Sequence, residues 1–183
     1  MYYSITFNEQ APYYEHLIRG EKLYSFLNLC FSESDVFTLS SYSEEEGTCT
    51  LLYNDLKKYK IATIETLKWF GYDYTHVPAE ELRVIMHENV YPTRTELIPI
   101  IINRITEIFF DRGLTPVPYD RLQNVEDICF FKEGKMIMGS ISHECMLFMD
   151  SDVFSLDVLS QYGRWKYENT FFPEIPEIKS LII

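Results

Sequence analysis

Residues 93–113 read TRTELIPIIINRITEIFFDRG, the longest apolar segment of the chain and the one on which a fold assignment turns. Leu97, Ile101, Ile105 and Ile108 recur at i, i+4, i+8 and i+11, and Ile98, Ile102 and Phe109 widen the stripe. That spacing predicts a core helix despite the β-branched content. Thr93 with Glu96 fits a capping box, Gly113 stands where a left-handed C-cap belongs, and Pro99 puts the regular part near its own position. The segment speaks of fold and carries no chemistry.

Working outward, Pro78 opens a second expected helix, with Glu80 and Glu81 in its first turn and Leu82, Ile85, Met86 and Val90 facing inward, ending before Pro92. Upstream, Tyr2–Phe7 alternates as a strand, Pro12–Arg19 reads as a short helix closed by Gly20, and KLYSFLNLCF (22–31) follows helical spacing. Asp35–Tyr42 and Thr48–Tyr53 are rich in strand formers, with SEEEG between them as a hairpin turn. Ile61–Trp69 fits a strand or a short helix. Asp127–Asp150 predicts an antiparallel meander: Ile128–Phe131, a turn at Gly134, Met136–Ile141 and Cys145–Met149. A helix over Ser155–Tyr162, capped by Asp152 or Ser155, and an edge strand over Trp165–Phe172 follow. The tail PEIPEIKSLII is apolar enough to need cover, from its own domain or another chain. The expected fold class is α+β: a single globular domain over 1–183, with an antiparallel sheet packed against several helices, the central one near 95–112.

Hydrophobic residues make up 46% and aromatics 16% of the 183 positions, which excludes intrinsic disorder. The net charge is −12, and 16 Lys and Arg among 28 acids argue against direct binding of nucleic acid and favour a cationic partner. Between Leu23 and Leu56 there is no Lys, Arg or His, while Glu33, Asp35, Glu44, Glu45, Glu46 and Asp55 are all present. A charge run of this kind ordinarily solvates a surface, and it also concentrates a negative field. The cysteines Cys30, Cys49, Cys129 and Cys145 lack CxxC spacing and read as reduced, mostly buried thiols. No secretory signal and no membrane-length apolar segment is evident, and a cytoplasmic protein is expected.

Few residue groupings suggest chemistry. His143, Glu144 and Cys145 bring together a base, an acid and a nucleophile, the ingredients of a small Cys–His hydrolase or transferase; the ordinary reading is a structural turn beside a packed thiol. Asp150-Ser151-Asp152 has the form of a metal–diphosphate DxD triplet, and it also suits a helix cap. His87-Glu88 lacks the second His of a zincin, and the seven glycines form no phosphate loop. No cofactor and no metal are expected. In WFGYDY (69–74) the polar alternation leaves Tyr72, Asp73 and Tyr74 as a contact patch, against the ordinary reading of aromatics as core.

The hairpin FFKEGKMIMGSISHE (130–144), together with the acidic, single-domain character, resembles immunity proteins of bacterial toxin–immunity pairs, including those of contact-dependent inhibition systems. The resemblance implies neutralisation of one cognate toxin domain, often a cationic nuclease, by covering its active site or a neighbouring surface. These proteins share no motif, so it assigns no residue. On physical grounds Glu44, Glu45 and Glu46 would steer a basic partner and Tyr72, Asp73 and Tyr74 would anchor it. An acidic mimic of DNA that blocks a nucleic-acid enzyme differs only in its partner.

Overall fold

The computed structural model describes residues 1–6, 18–42, 50–70, 72–78, 86–105, 108, 127–144 and 146–168. Eight strands form one antiparallel sheet: β1 (Tyr2–Thr6), β2 (Val36–Tyr42), β3 (Ala62–Thr66), β6 (Met86–Pro92), β7 (Ile128–Lys132), β8 (Lys135–Ile141), β9 (Met146–Asp150) and β10 (Lys166–Glu168). Their order is β10-β1-β9-β8-β7-β2-β6-β3, and β4 (Lys68–Trp69) pairs separately with β5 (Tyr72–Asp73). The helices are α1 (Glu21–Glu33), α2 (Thr50–Leu56), α3 (Ile98–Ile102) and α4 (Leu156–Leu159). The α+β class with a large antiparallel sheet is as the sequence implies.

Strand periodicity sorts the side chains into two layers. Phe37, Leu39, Tyr91, Ile128, Phe130, Leu147 and Met149 share the main core with Phe26, Leu27 and Cys30 of α1, Leu52 and Leu56 of α2, and Ile98 and Ile101 of α3. The alternate positions, Val36, Val90, Cys129, Phe131 and Phe148, form a second layer on the opposite face, covered by Trp69 and Phe70. Buried on both faces, β7 reads ICFF without alternation. Phe70 lies directly on Gly139 of β8, where an added Cβ would sit 2.5 Å from the ring, and meets Phe148 edge to face at 5.4 Å.

The meander of β7, β8 and β9 appears as expected. Its first turn places Glu133 and Gly134 at φ 51° and 78°, the left-handed pair that a two-residue hairpin requires. Asp35 Oδ2 accepts from the Glu133 amide at 2.6 Å and holds that turn against the start of β2. Strands β1, β2 and β10 also fall within their expected segments, helix α1 spans the expected 22–31 and extends past both its ends, and Ile61–Trp69 resolves as strand β3 followed by β4. Ser155 caps α4, its Oγ accepting from the Val158 amide at 3.4 Å.

Three expectations are corrected. Thr48–Tyr53 reads in sequence as a strand partner of β2; Thr50–Leu56 is instead helix α2, because Leu52 and Leu56, four apart, bury together, while β2 takes β6 and β7 as partners. Of the helix expected over Pro78–Val90, residues 79–85 lie outside the described residues, and from Met86 the chain is instead β6, the strand between β2 and β3. The central helix is shorter than its apolar stripe: a 3-10 turn at Thr95–Leu97 leads into α3, Pro99 lies in the first turn, and the helix gives way to a turn at Asn103–Arg104. Residues 109–113, the Pro12–Leu17 portion of the first expected helix, the SEEEG turn and the C-terminal tail lie outside the described residues.

Candidate functional site

The β4–β5 hairpin crosses the second face of the sheet and carries the aromatic patch singled out in the sequence. Lys68 pairs with Asp73 and Trp69 with Tyr72 across the two strands, with an ion pair of 3.3 Å between Lys68 Nζ and Asp73 Oδ2. At such exposure the ion pair contributes little. Asp73 Oδ1 accepts from the Thr75 amide at 3.0 Å and from the Thr75 hydroxyl, an Asx turn. These bonds, the hydroxyl's foremost, push its carboxyl down to about 2, so Asp73 stays ionised. The Tyr74 amide donates to the Leu67 carbonyl at 2.7 Å.

Within the patch, Trp69 and Phe70 are buried, Tyr72 is half-buried, and Asp73 and Tyr74 are exposed. The rings of Tyr72 and Tyr74 stack at 5.3 Å with 24° between planes. The outer ring therefore rests on an inner one whose hydroxyl is tethered: Tyr72 donates to Glu88 Oε1 at 2.8 Å.

Glu88 is a site that sequence reasoning missed. It lies mid-strand on β6, opposite Ser40 of β2 and Ile64 of β3, with no solvent exposure. Ser40 Oγ donates to both carboxylate oxygens at 2.8 Å and also lies 3.3 Å from the Asp127 carbonyl. Burial pushes the Glu88 carboxyl up to about 8; the bonds from Ser40 and Tyr72 pull the other way, and the Asp127 charge adds to the rise. Burial likewise raises the Tyr72 phenol, with Glu88 as the next cause, and holds the Cys129 thiol well above its usual range. A carboxyl closed off in this way holds the hairpin and offers no surface to a substrate. Its signal was available: in MHENVYP an acid stands between Met86 and Val90 at period two.

Of the other sequence candidates, Ser142–Glu144 forms a 3-10 turn whose Ser142 amide and hydroxyl donate to Asp127 Oδ1 at 2.6 and 2.9 Å, so His143 sits in a fastened turn. Cys145 lies outside the described residues, as do Glu44, Glu45 and Glu46. The chain leaves β2 at Tyr42, opposite Met86, which also pairs with Thr66 just before the hairpin. Of the remaining acids in the basic-free stretch, Asp55 binds Arg104 at 2.7 Å and Glu33 lies 3.3 Å from Lys132, so the fold returns cations to them.

In the Asp150–Asp152 triplet, Asp150 Oδ1 accepts from the Asp152 amide at 3.0 Å and Oδ2 lies 2.6 Å from Lys135 Nζ, which commits both oxygens to structural contacts. Among the described residues no group of three or more His, Cys, Asp or Glu is arranged to hold a metal ion, and no helix is long and apolar enough to cross a membrane. Cys30 and Cys129 are buried and unpaired, and burial raises both thiols, which opposes nucleophilic use. Comparison of the chain with protein-family models, curated proteins and solved structures gives no match.

Proposed function

We propose that this chain is an acidic inhibitor of the immunity type, which binds and neutralises a cationic toxin domain such as a nuclease. The observation that carries the reading is the hairpin itself: an ionised Asp73 and an exposed Tyr74 are presented by a segment whose underside is fixed by Trp69, Phe70 and the Tyr72–Glu88 bond. A stacked tyrosine loses little conformational freedom on binding, which is the property of an interface anchor. The net charge of −12 supplies attraction for a basic partner. Glu44, two residues beyond the end of β2, begins the steering triplet, and β2 ends beside the strand pair from which the hairpin departs. The reading places the protein in the cytoplasm, in keeping with two buried, unpaired thiols.

The test of steering is kinetic. Replacing Glu44, Glu45 and Glu46 by Lys should slow association with the basic partner by about tenfold or more at low salt and flatten its salt dependence. An unchanged rate and an unchanged salt slope would remove the triplet from the account.

A further inference from the structure

The hairpin touches the sheet through two kinds of contact. Trp69 and Phe70 are packed against Phe131, Gly139 and Phe148, and this apolar contact is indifferent to pH. The polar contact runs from the Tyr72 hydroxyl to Glu88. The titratable groups that face Glu88 among the described residues are Tyr72 from β5, Asp127 just before β7 and Cys129 on β7. Ser40 from β2 and Ile64 from β3 are uncharged. His87, its neighbour on β6, belongs to the opposite face and lies 3.7 Å from Glu65. None of the groups facing Glu88 is a cation.

We propose that Glu88 is a proton-controlled latch for the β4–β5 hairpin, fastening it over the sheet when protonated and favouring its release when ionised. The inference rests on the hairpin being the partner-binding element, since the latch then regulates how firmly Tyr72, Asp73 and Tyr74 are held.

The hydrogen-bond chain shows how each state is satisfied. With the proton on Oε2, that oxygen donates to Ser40 Oγ over the same 2.8 Å, Ser40 turns its own hydrogen to the Asp127 carbonyl at 3.3 Å, and Oε1 accepts from Tyr72. Each of these groups is then paired and the Glu88 carboxyl is itself uncharged. Without the proton, Ser40 and Tyr72 both donate to an anion enclosed beside Asp127 with no cation facing it among the described residues, a costly arrangement in an apolar layer. Lifting the hairpin admits water to that anion.

The direction with pH follows. The enclosed carboxyl titrates near 8 and a solvated one near 4.5, so opening releases a proton in the interval between. The opening equilibrium should rise about tenfold per pH unit across that window and level off outside it.

Hydrogen exchange of the Tyr74 amide, which is bonded to Leu67, reads the opening directly. Comparing wild type with Glu88→Gln at each pH from 5 to 9 cancels the intrinsic exchange rate. The ratio of wild-type to variant protection should fall about tenfold per pH unit up to pH 8, whereas a constant ratio would overturn the latch. If Glu88→Gln fails to fold, carbon-13 titration of the Glu88 carboxyl in the wild type decides: a midpoint near 8 supports the latch and one near 4.5 overturns it. Neither measurement uses a partner, so absence of a toxin would count against the proposed function and leave the latch standing.

Discussion

The hydroxyl of Tyr72 donates to Oε1 of Glu88 at 2.8 Å and ties a two-stranded hairpin to β6, the strand next to the β3 edge of an eight-stranded sheet. The carboxyl that receives this bond is enclosed and carries a raised pKa, so local attachment and global stability depend on the same proton.

Stability should therefore fall as pH rises. The folded-state pKa of Glu88 lies above its unfolded value, so its contribution is fully present below about 4.5 and is lost progressively up to about 8. Each tenfold difference in proton affinity between the folded and unfolded chain is worth ~1.4 kcal/mol, so the loss is on the order of a few kcal/mol. Urea denaturation at pH 5 and 8.5 should show this decline in wild type. Glu88→Gln should lose most of it and be the more stable protein at pH 8.5.

The seat of the hairpin is equally open to test. A side chain at position 139 would displace the Phe70 ring, since even a Cβ falls 2.5 Å from it. Gly139→Val should cost about 1–3 kcal/mol by overpacking and raise acrylamide quenching of Trp69, measured in a Trp165→Phe background. Unchanged stability and quenching would show that this contact does not position the hairpin.

At the β7–β8 turn, Glu133 occupies a left-handed conformation that a β-carbon disfavours. Asn at this position, before Gly134, suits the turn better, and Glu133→Asn should stabilise the protein by about 0.5–1 kcal/mol. A drop in stability in urea would contradict the turn geometry.

Asp150 is buried, and its Oδ2 is paired with Lys135, a residue 58% exposed. The bond to Asp150 is the main cause that raises the Lys135 pKa. Lys135→Met removes the charge partner and should cost about 1–3 kcal/mol, less than a fully enclosed pair because solvent reaches the lysine. Lys135→Arg should restore most of the loss in the same denaturation assay.

How much of this was legible in the sequence depends on which contacts set each element. The β7–β9 meander declares itself through KEGK and its flanking apolar runs, because a two-residue hairpin is local. Helix α1 shows its buried positions Leu23, Phe26, Leu27 and Cys30 at helical spacing. Strand β6 does not, since Leu82, Ile85, Met86 and Val90 satisfy a helical stripe as well; what selects the strand is pairing with β2 and β3, both distant in sequence. Helix α2 was hidden by its strand-forming Thr and Tyr, and its Tyr53 hydroxyl reaches the Ser40 carbonyl at 2.5 Å, a contact no local pattern announces. The hairpin patch was visible as an odd alternation of aromatic and polar residues. Glu88 was masked by the mistaken helix, which removed the period-two frame in which a buried acid stands out.

The most direct test of the binding account is capture from extract of the source cells by tagged wild type beside an Asp73→Lys/Tyr74→Ala variant, both washed at low and high salt. The account predicts that wild type retains one stoichiometric basic protein through high salt and that the variant releases it. Retention of the same protein by both, or by neither when that protein is expressed, would contradict it.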